Sequence, residues 1–220
     1  MQNLLSGKIR LSGFKNEWQT LKFNQVVSQV VDFRGKTPMK LGMSWGGTIP
    51  ALSANNVKKG YIDFDSECHL ASEELYSTWM NKGDLKKGDI VFTMEAPLGN
   101  VALIPDNRKY LLSQRVVSFR LFETMDNEFI YHHLMSEIFQ DKLTLLATGS
   151  TAKGINQKSL SRVTFNIPSL AEQSSIARVF ETCDEEIRAL EKKLTLLKEQ
   201  KKFLLNNLIT GAIRTPESIK

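Results

Sequence analysis

The 220-residue sequence predicts an α+β fold, in which a mixed α/β globular domain is followed by one long C-terminal coiled-coil helix. Strand-like and helix-like segments are interspersed with long loops from Leu21 to Ile167, without the regular alternation of a βαβ array. After Pro168, apolar residues recur at heptad spacing. In addition, the heptamer LLSGKIR at Leu4–Arg10 returns as LITGAIR at Leu208–Arg214, so that the two glycines lie 204 positions apart.

The globular part contains short apolar runs bounded by turn-forming residues. These runs predict five strands: Ile49–Ser53, Ile90–Met94, Val101–Ile104, Val116–Leu121 and Val163–Ile167. Mixed apolar and polar spacing predicts two helices, Ser72–Asn81 and Asn127 to about Leu146.

The C-terminal segment predicts one helix from Leu170 to Thr210. Ser169 and Glu172 have the spacing of a capping box, and Gly211 supplies a stop. The helix would be about 60 Å long and too narrow to bury its own apolar face, so we expect it to pair with another helix. Folding back onto its own domain is the alternative. The heptad face, interrupted by Lys201, consists of Ile176, Phe180, Cys183, Ile187, Leu190, Leu194, Leu197, Leu204 and Leu208.

The composition excludes several classes of protein. With 41% apolar and 24% charged residues, the chain can bury a core and is not of the disordered type. No apolar run approaches the roughly 18 residues of a membrane span, and the N-terminus lacks the pattern of a signal peptide. The two cysteines do not form a disulfide framework. We therefore expect a cytoplasmic protein.

The net charge is +5, and positive residues concentrate in two glycine-containing segments, Asp32–Lys59 and Lys142–Arg162. This distribution fits a polyanion, although a basic surface without a partner is the alternative. Small residues allow the backbone to approach a phosphate, Lys and Arg neutralise it, and Gln and Arg can read base edges. The candidate DNA-binding residues are Arg34, Lys36, Thr37, Lys40, Trp45, Gln114, Arg115, Ser150, Thr151 and Lys153.

No residue pattern indicates catalysis. Gly83–Asp89 and Gly149–Gly154 lack the Lys and Ser/Thr that complete a phosphate loop. Cys68–His69 and His132–His133 lack the spacing of zinc ligands. The acidic residues of Asp63–Glu74 could hold Mg²⁺ in a nuclease, but no lysine lies among them and a solvated surface is favoured. We expect a protein that is not an enzyme and uses no metal or cofactor.

Several motifs together resemble the specificity subunits of type I restriction–modification systems. Asn166–Phe180 (NIPSLAEQSSIARVF), followed by a heptad helix that ends in Leu204–Arg214 (LLNNLITGAIR), is similar to the conserved helical region of that family. Phe33–Pro38 (FRGKTP), Leu85–Thr93 (LKKGDIVFT) and Ala147–Thr151 (ATGST) look like parts of a target recognition domain. The resemblance covers nearly the whole chain.

The resemblance implies an explanation for the repeated heptamer. A complete member of the family has two recognition domains, each followed by a conserved helix. The chain then looks like a half-length form with one recognition domain. Its expected parts are an N-terminal stub resembling the end of a conserved helix (1–18), a DNA target recognition domain (19–168), a conserved long helix (169–211) and a tail (212–220).

The resemblance also implies a function without chemistry. Such a subunit reads one half of a bipartite site on double-stranded DNA and docks the modification (adenine methyltransferase) and restriction subunits. A chain with one domain and one helix is expected to pair with a second copy through the helix and to read an interrupted palindrome. The alternatives are a standalone DNA-binding regulator and a protein-interaction adaptor without DNA specificity, with a magnesium-dependent nuclease as a third.

Overall fold

A computed structural model of the chain describes residues 2–149 and 153–214. The chain divides into two compact units, Met1–Ala177 and Arg178–Lys220. The first holds all of the sheets, and the long C-terminal helix runs from its end into the second. The expected α+β class with a long C-terminal helix is confirmed. Within the part of the chain that the structure describes, no helix has the length and apolar character needed to cross a membrane.

The described residues form nine strands and seven α-helices. The strands are β1 Gln19–Lys22, β2 Val27–Asp32, β3 Ile49–Leu52, β4 His69–Ala71, β5 Ile90–Met94, β6 Leu98–Leu103, β7 Leu111–Leu112, β8 Val116–Leu121 and β9 Thr164–Ile167. The helices are α1 Gln2–Leu5, α2 Phe23–Val26, α3 Glu73–Trp79, α4 Asn127–Met135, α5 Glu137–Leu146, α6 Gln157–Leu160 and α7 Leu170–Ile209. A 3₁₀ turn spans Pro38–Leu41.

Three sheets make up the globular unit. The largest is antiparallel, with the strand order β2-β8-β5-β6, and β5 is buried along its whole length. The second has the order β4-β3-β7, and its β3–β7 pair is parallel. The third pairs β1 with β9 at the two ends of the unit. A continuous apolar core includes Trp79 of α3, whose indole N–H donates to the Leu112 carbonyl at 2.9 Å.

The predicted strands agree closely with the structure. Ile90–Met94 and Val116–Leu121 agree to the residue, and the other three lie within three residues of the observed bounds. The strands β1, β2, β4 and β7 were not predicted. Three of them have four residues or fewer, and β2 carries a register shift that interrupts its alternation.

The predicted helix from Asn127 to about Leu146 is wrong in one respect, because two helices occupy this range. Ser136 has an extended backbone (ψ 147°), which ends α4. Its hydroxyl donates to the His133 carbonyl at 2.6 Å and accepts from the Phe139 amide at 3.3 Å, which caps α5. A single serine thus satisfies polar groups at both helix ends.

The start of α7 is fixed by two buried side chains. Both Glu172 and Gln173 are 1% exposed. The capping-box prediction is wrong, since both Glu172 carboxylate oxygens accept from the Arg10 guanidinium, at 2.5 and 2.7 Å. The Gln173 amide accepts from the Asp126 backbone N–H at 2.9 Å and donates to the Pro168 carbonyl at 3.1 Å. The Glu-Gln pair therefore attaches the helix to the sheets.

Candidate nucleic-acid interface and assembly helix

A cleft of about 320 Å³ opens at one edge of the three-stranded sheet. Five of the ten candidate DNA-binding residues line it together: Lys36, Thr37, Trp45, Gln114 and Arg115. These residues come from sequence segments separated by about seventy positions, so the fold brings them together. The other lining residues are Pro38, Ala51, Ser53, Ala54, Asn55, Glu67, His69 and Ser113.

The cleft lies where three strand ends meet. The parallel strands β3 and β7 both end at this edge, and the Ser113 amide extends their pairing by donating to the Leu52 carbonyl at 2.8 Å. The antiparallel neighbour β4 begins there, at His69. Loops that follow parallel strand ends carry binding groups on a rigid support, which is a common position for ligand sites in sheets.

Lys36 is held at the cleft by its surroundings. Its ammonium donates to the Trp79 carbonyl at 2.9 Å and lies 4.8 Å from the centre of the Phe33 ring. Partial burial, and secondly the charge of Lys82, lower the pKa of Lys36 from its ordinary value. The ammonium also donates to the Asn81 side-chain oxygen at 3.5 Å. With these acceptors and an aromatic face, the position of the side chain is set before any ligand binds.

Gln114 and Arg115 form an exposed turn between β7 and β8. Arg115 has a left-handed backbone (φ 69°), which is uncommon for a residue other than glycine. Its guanidinium Nε lies 3.4 Å from the Glu95 carboxylate, and both side chains are about half exposed. A strained, exposed arginine beside a cleft fits a binding role better than a structural one.

Trp45 and His69 form a flat aromatic surface in the cleft. Their rings are stacked, with centroids 4.8 Å apart and planes 10° from parallel. Trp45 also contacts Trp79, with ring centroids 5.8 Å apart. Sequence reasoning missed His69, which it considered only as a metal ligand. His69 is the first residue of β4, a strand of only three residues, and the sequence around it does not indicate a ring stack.

The loop after β3 is organised by Asn56, which the sequence reasoning also missed. Asn56 is fully buried, and its side-chain oxygen accepts from both the amide and the hydroxyl of Ser53 at 3.1 and 3.0 Å. Its amide nitrogen donates to three carbonyls, including that of Glu67 at 3.4 Å. One asparagine therefore fixes both Ser53 and Glu67, two lining residues of the cleft.

Three further candidate DNA-binding residues, Arg34, Lys40 and Lys153, do not line the cleft. Arg34 pairs with Asp32, with its Nη2 2.7 Å from a carboxylate oxygen. Burial opposes ionisation of Asp32, but the hydrogen bonds and charge of Arg34, with a hydrogen bond from Gln157, outweigh burial and lower the pKa of the carboxyl. The Lys40 ammonium donates to the Gly35 carbonyl at 2.7 Å, and Lys153 lines a separate cavity beside α5. Ser150 and Thr151 lie outside the described residues.

The charge of the cleft suits an anion. Two cations, Lys36 and Arg115, and one carboxylate, that of Glu67, line the cleft. Hydroxyl and amide groups of Ser53, Asn55 and Gln114 add neutral hydrogen-bonding groups. Among the residues that the structure describes, no three His, Cys, Asp or Glu side chains are grouped so as to hold a metal ion.

The heptad face of α7 changes character along its length. Its first two residues, Ile176 and Phe180, are buried. From Cys183 onward every member is exposed, with exposed fractions between 40% and 58% for Ile187, Leu190, Leu194, Leu197, Leu204 and Leu208. A row of half-exposed leucines on a helix indicates a surface that a partner covers.

Three further apolar residues widen this face and were missed by the sequence reasoning. Leu196 and Phe203 lie one position before, and Leu205 one position after, members of the heptad register. They are 56%, 57% and 53% exposed. Their positions flank the heptad face, where coiled coils usually carry charges, so the distal part of the helix presents a broader apolar surface.

Comparison with known proteins identifies the family. The family described as "Type I restriction modification DNA specificity domain" matches residues 15–199. The MjaVIII specificity subunit of a type I restriction enzyme from Methanocaldococcus jannaschii is 27% identical over 217 residues, covering 94% of this chain and 49% of that protein. A putative MjaX specificity subunit from the same organism is 29% identical over 127 residues, covering 57% of this chain and 29% of that protein.

Solved structures share the fold. The S subunit of a type I restriction-modification system from M. genitalium has a TM-score of 0.63 at 17% identity, covering 92% of this chain and 48% of that one. The HsdS subunit from Thermoanaerobacter tengcongensis has a TM-score of 0.56 at 14% identity, covering 94% and 49%. The chain thus spans about half the length of these relatives. It belongs to the family of type I restriction–modification DNA specificity domains.

Proposed function

We propose that the chain is a DNA-reading specificity subunit of a type I restriction–modification complex, which has no catalytic role of its own. The observation that carries this proposal is the cleft, in which five independently selected residues from distant segments converge. Lys36 and Arg115 would contact phosphates, Gln114 would reach a base edge, and Trp45 would offer an apolar surface. The family relationship supports the same role.

The exposed helix face supports the second part of the proposal, which is assembly. Half-exposed apolar residues over about three heptads, from Ile187 to Leu208, need a partner in water, because their apolar surface is costly to hydrate. A second copy of the chain provides an equal face, and two antiparallel helices give a two-fold dimer. Such a dimer would carry two identical readers and recognise an interrupted palindrome, while modification and restriction subunits dock on the assembly.

DNA binding is tested by reversing the charge of the cleft. Arg115→Glu is expected to weaken binding to a labelled duplex by at least tenfold in a fluorescence anisotropy titration at low salt. The matched control is Lys59→Glu, a similar charge reversal at an exposed lysine that does not line the cleft. Equal losses in the two variants would mean that the cleft is not the interface and that general charge governs binding.

Pairing is tested by light scattering of the purified chain and of Leu194→Lys. Leu194 is 52% exposed, so the new lysine leaves the monomer folded but places a charge on the apolar face. The parent is expected to have twice the chain mass of 24.9 kDa, and the variant the mass of one chain. A parent that stays monomeric at micromolar concentration contradicts pairing, and a DNA-binding monomer would favour a standalone regulator.

A further inference from the structure

The two copies of the repeated segment have the same local structure. Asn3–Arg10 and Asn207–Arg214 are identical at five of eight positions. Their glycines have φ angles of 73° and 72°. The amides of the glycine and isoleucine donate to carbonyls three and six residues earlier, from Gly7 to Leu4 (3.3 Å) and Ile9 to Asn3 (3.0 Å), and from Gly211 to Leu208 (3.3 Å) and Ile213 to Asn207 (3.1 Å).

The first copy is bound to the globular unit. Leu5 is 2% exposed, and Arg10 donates to both carboxylate oxygens of Glu172 at 2.5 and 2.7 Å. Arg10 also donates to the Asn16 carbonyl at 2.9 Å. Glu172 is 1% exposed, so its charge depends on this guanidinium for compensation.

Trp18 completes the surface on which the first copy lies. A Cβ added to Gly7 would lie 3.3 Å from the Trp18 ring, so the backbone of this glycine packs directly on the indole. The Arg10 guanidinium lies 5.8 Å from the centre of the same ring. We call Asn16, Trp18 and Glu172 the docking site; its requirements are a glycine on the indole and an arginine on the carboxylate.

The second copy has the same groups but is exposed. Ile209 aligns with the buried Leu5 and is 75% exposed, while Leu208 and Ile213 are 41% and 39% exposed. Arg214 aligns with Arg10 and is exposed as well. The one change of charge, from Lys8 to Ala212, falls at a position that is solvent-exposed in the first copy. Nothing in the second sequence conflicts with the docking site.

We propose that the docking site of one chain accepts residues 207–214 of a second copy, in place of its own residues 3–10. Within one chain, Glu172 and Asn207 belong to the same helix, α7, and are 35 residues apart in sequence. In an antiparallel pair of such helices, the end of each helix lies beside the start of the other. Arg214 of each copy then reaches the other copy's Glu172.

The exchange makes pairing competitive. Residues 3–10 occupy the site within the chain, and residues 207–214 offer the same glycine and arginine between chains, as in a domain swap. Because equivalent contacts are exchanged, protein concentration and the strength of the Arg10–Glu172 pair determine which of the two segments occupies the docking site. This inference rests on the proposed self-association but not on DNA reading.

The test uses a labelled peptide with the sequence of residues 203–214 and the full-length chain. Arg10→Ala weakens the internal competitor, so we expect the peptide to bind this variant at least tenfold more tightly than the parent chain in fluorescence anisotropy. A peptide with Arg214→Ala should bind Arg10→Ala at least tenfold more weakly. Introducing Glu172→Gln as well should remove the preference for arginine. Absence of binding, or equal affinity of both peptides, would overturn the proposal.

A second measurement leaves Arg10 and Glu172 intact, in case the variant does not fold. A photo-crosslinking residue replaces Ile213 in isotopically heavy chain, which is mixed with light chain at high concentration. Crosslinks from heavy to light chain are expected at Trp18 or Glu172. With the crosslinker at Lys192 instead, we expect no crosslink at either residue. Crosslinks elsewhere or within one chain only would contradict the exchange. The peptide assay needs no helix pairing, so docking and pairing can fail separately.

Discussion

Arg115→Gly separates the stability of the cleft from its binding function. A left-handed backbone costs an L-residue about 1–2 kcal/mol, and glycine avoids this cost. Against that gain, the greater backbone freedom of glycine stabilises the unfolded chain by about 0.5–1 kcal/mol. The lost contact with Glu95 is half exposed and contributes little. We therefore expect the variant to be within about 1 kcal/mol of the parent.

The same variant loses its guanidinium, so DNA binding should fall while folding does not. One phosphate contact changes the slope of log K against log salt by about 0.9, which at 0.1 M salt corresponds to about eightfold weaker binding. Arg115→Ala is the matched control. It loses the same side chain, so its DNA affinity should match that of Arg115→Gly. It keeps the strained backbone, so its free energy of unfolding should be about 1 kcal/mol lower than that of Arg115→Gly.

Urea denaturation gives the free energy of unfolding, and anisotropy with a 30-base-pair duplex over a salt series gives the slope. The reasoning is refuted if Arg115→Gly binds DNA like the parent, because the side chain then does not contact phosphate. It is also refuted if the glycine variant is less stable than the alanine variant, because the left-handed backbone then imposes no strain.

Two further predictions concern the globular unit alone. A Cβ at Gly47 would lie 2.4 Å from the Ala71 carbonyl oxygen, so Gly47→Ala should lower the free energy of unfolding by about 3 kcal/mol or more in urea denaturation. Gly42 also has a left-handed backbone, but the space around it is open. Gly42→Ala is therefore the control and should lower the free energy of unfolding by only about 1 kcal/mol. Burial, and secondly the charge of Lys142, lower the pKa of His133 to about 4. Between pH 6.5 and 4 the unfolded chain binds a proton that the folded chain excludes, so stability should fall by about 3 kcal/mol as the pH falls through this range. In His133→Phe, the free energy of unfolding measured at pH 7 and pH 4.5 should lack this fall. A fall equal to that of the parent would contradict the lowered pKa of His133.

The sequence predicted the features that depend on local pattern. The buried strand Ile90–Met94 and the heptad helix were found because apolar spacing alone determines them. The break at Ser136 was missed because a serine in a helical pattern gives no sign that its hydroxyl will serve two helix ends. Glu172 was assigned to a local cap because its partner, Arg10, is 162 positions away.

The candidate site shows the same division between local and distant information. Residue types suited to DNA were identified from glycine-rich basic segments, and half of them meet in the cleft. Arg34 has the same chemistry as Arg115, but a carboxylate two positions earlier binds it, and Lys153 lies at another cavity. Which basic residue faces a ligand depends on tertiary contacts. His69 and Asn56 act through a ring stack and a loop that no spacing in the sequence describes.

Selection of bound duplexes from a random pool tests the central claim most directly. The chain is used alone and together with a type I modification subunit, with Leu194→Lys in parallel. The account predicts that the parent enriches two inverted half-sites at a fixed spacing, that Leu194→Lys loses the second half-site, and that Arg115→Gly captures less DNA but enriches the same half-sites. A pool that stays random under both conditions, while the chain remains folded, would contradict a DNA-reading role.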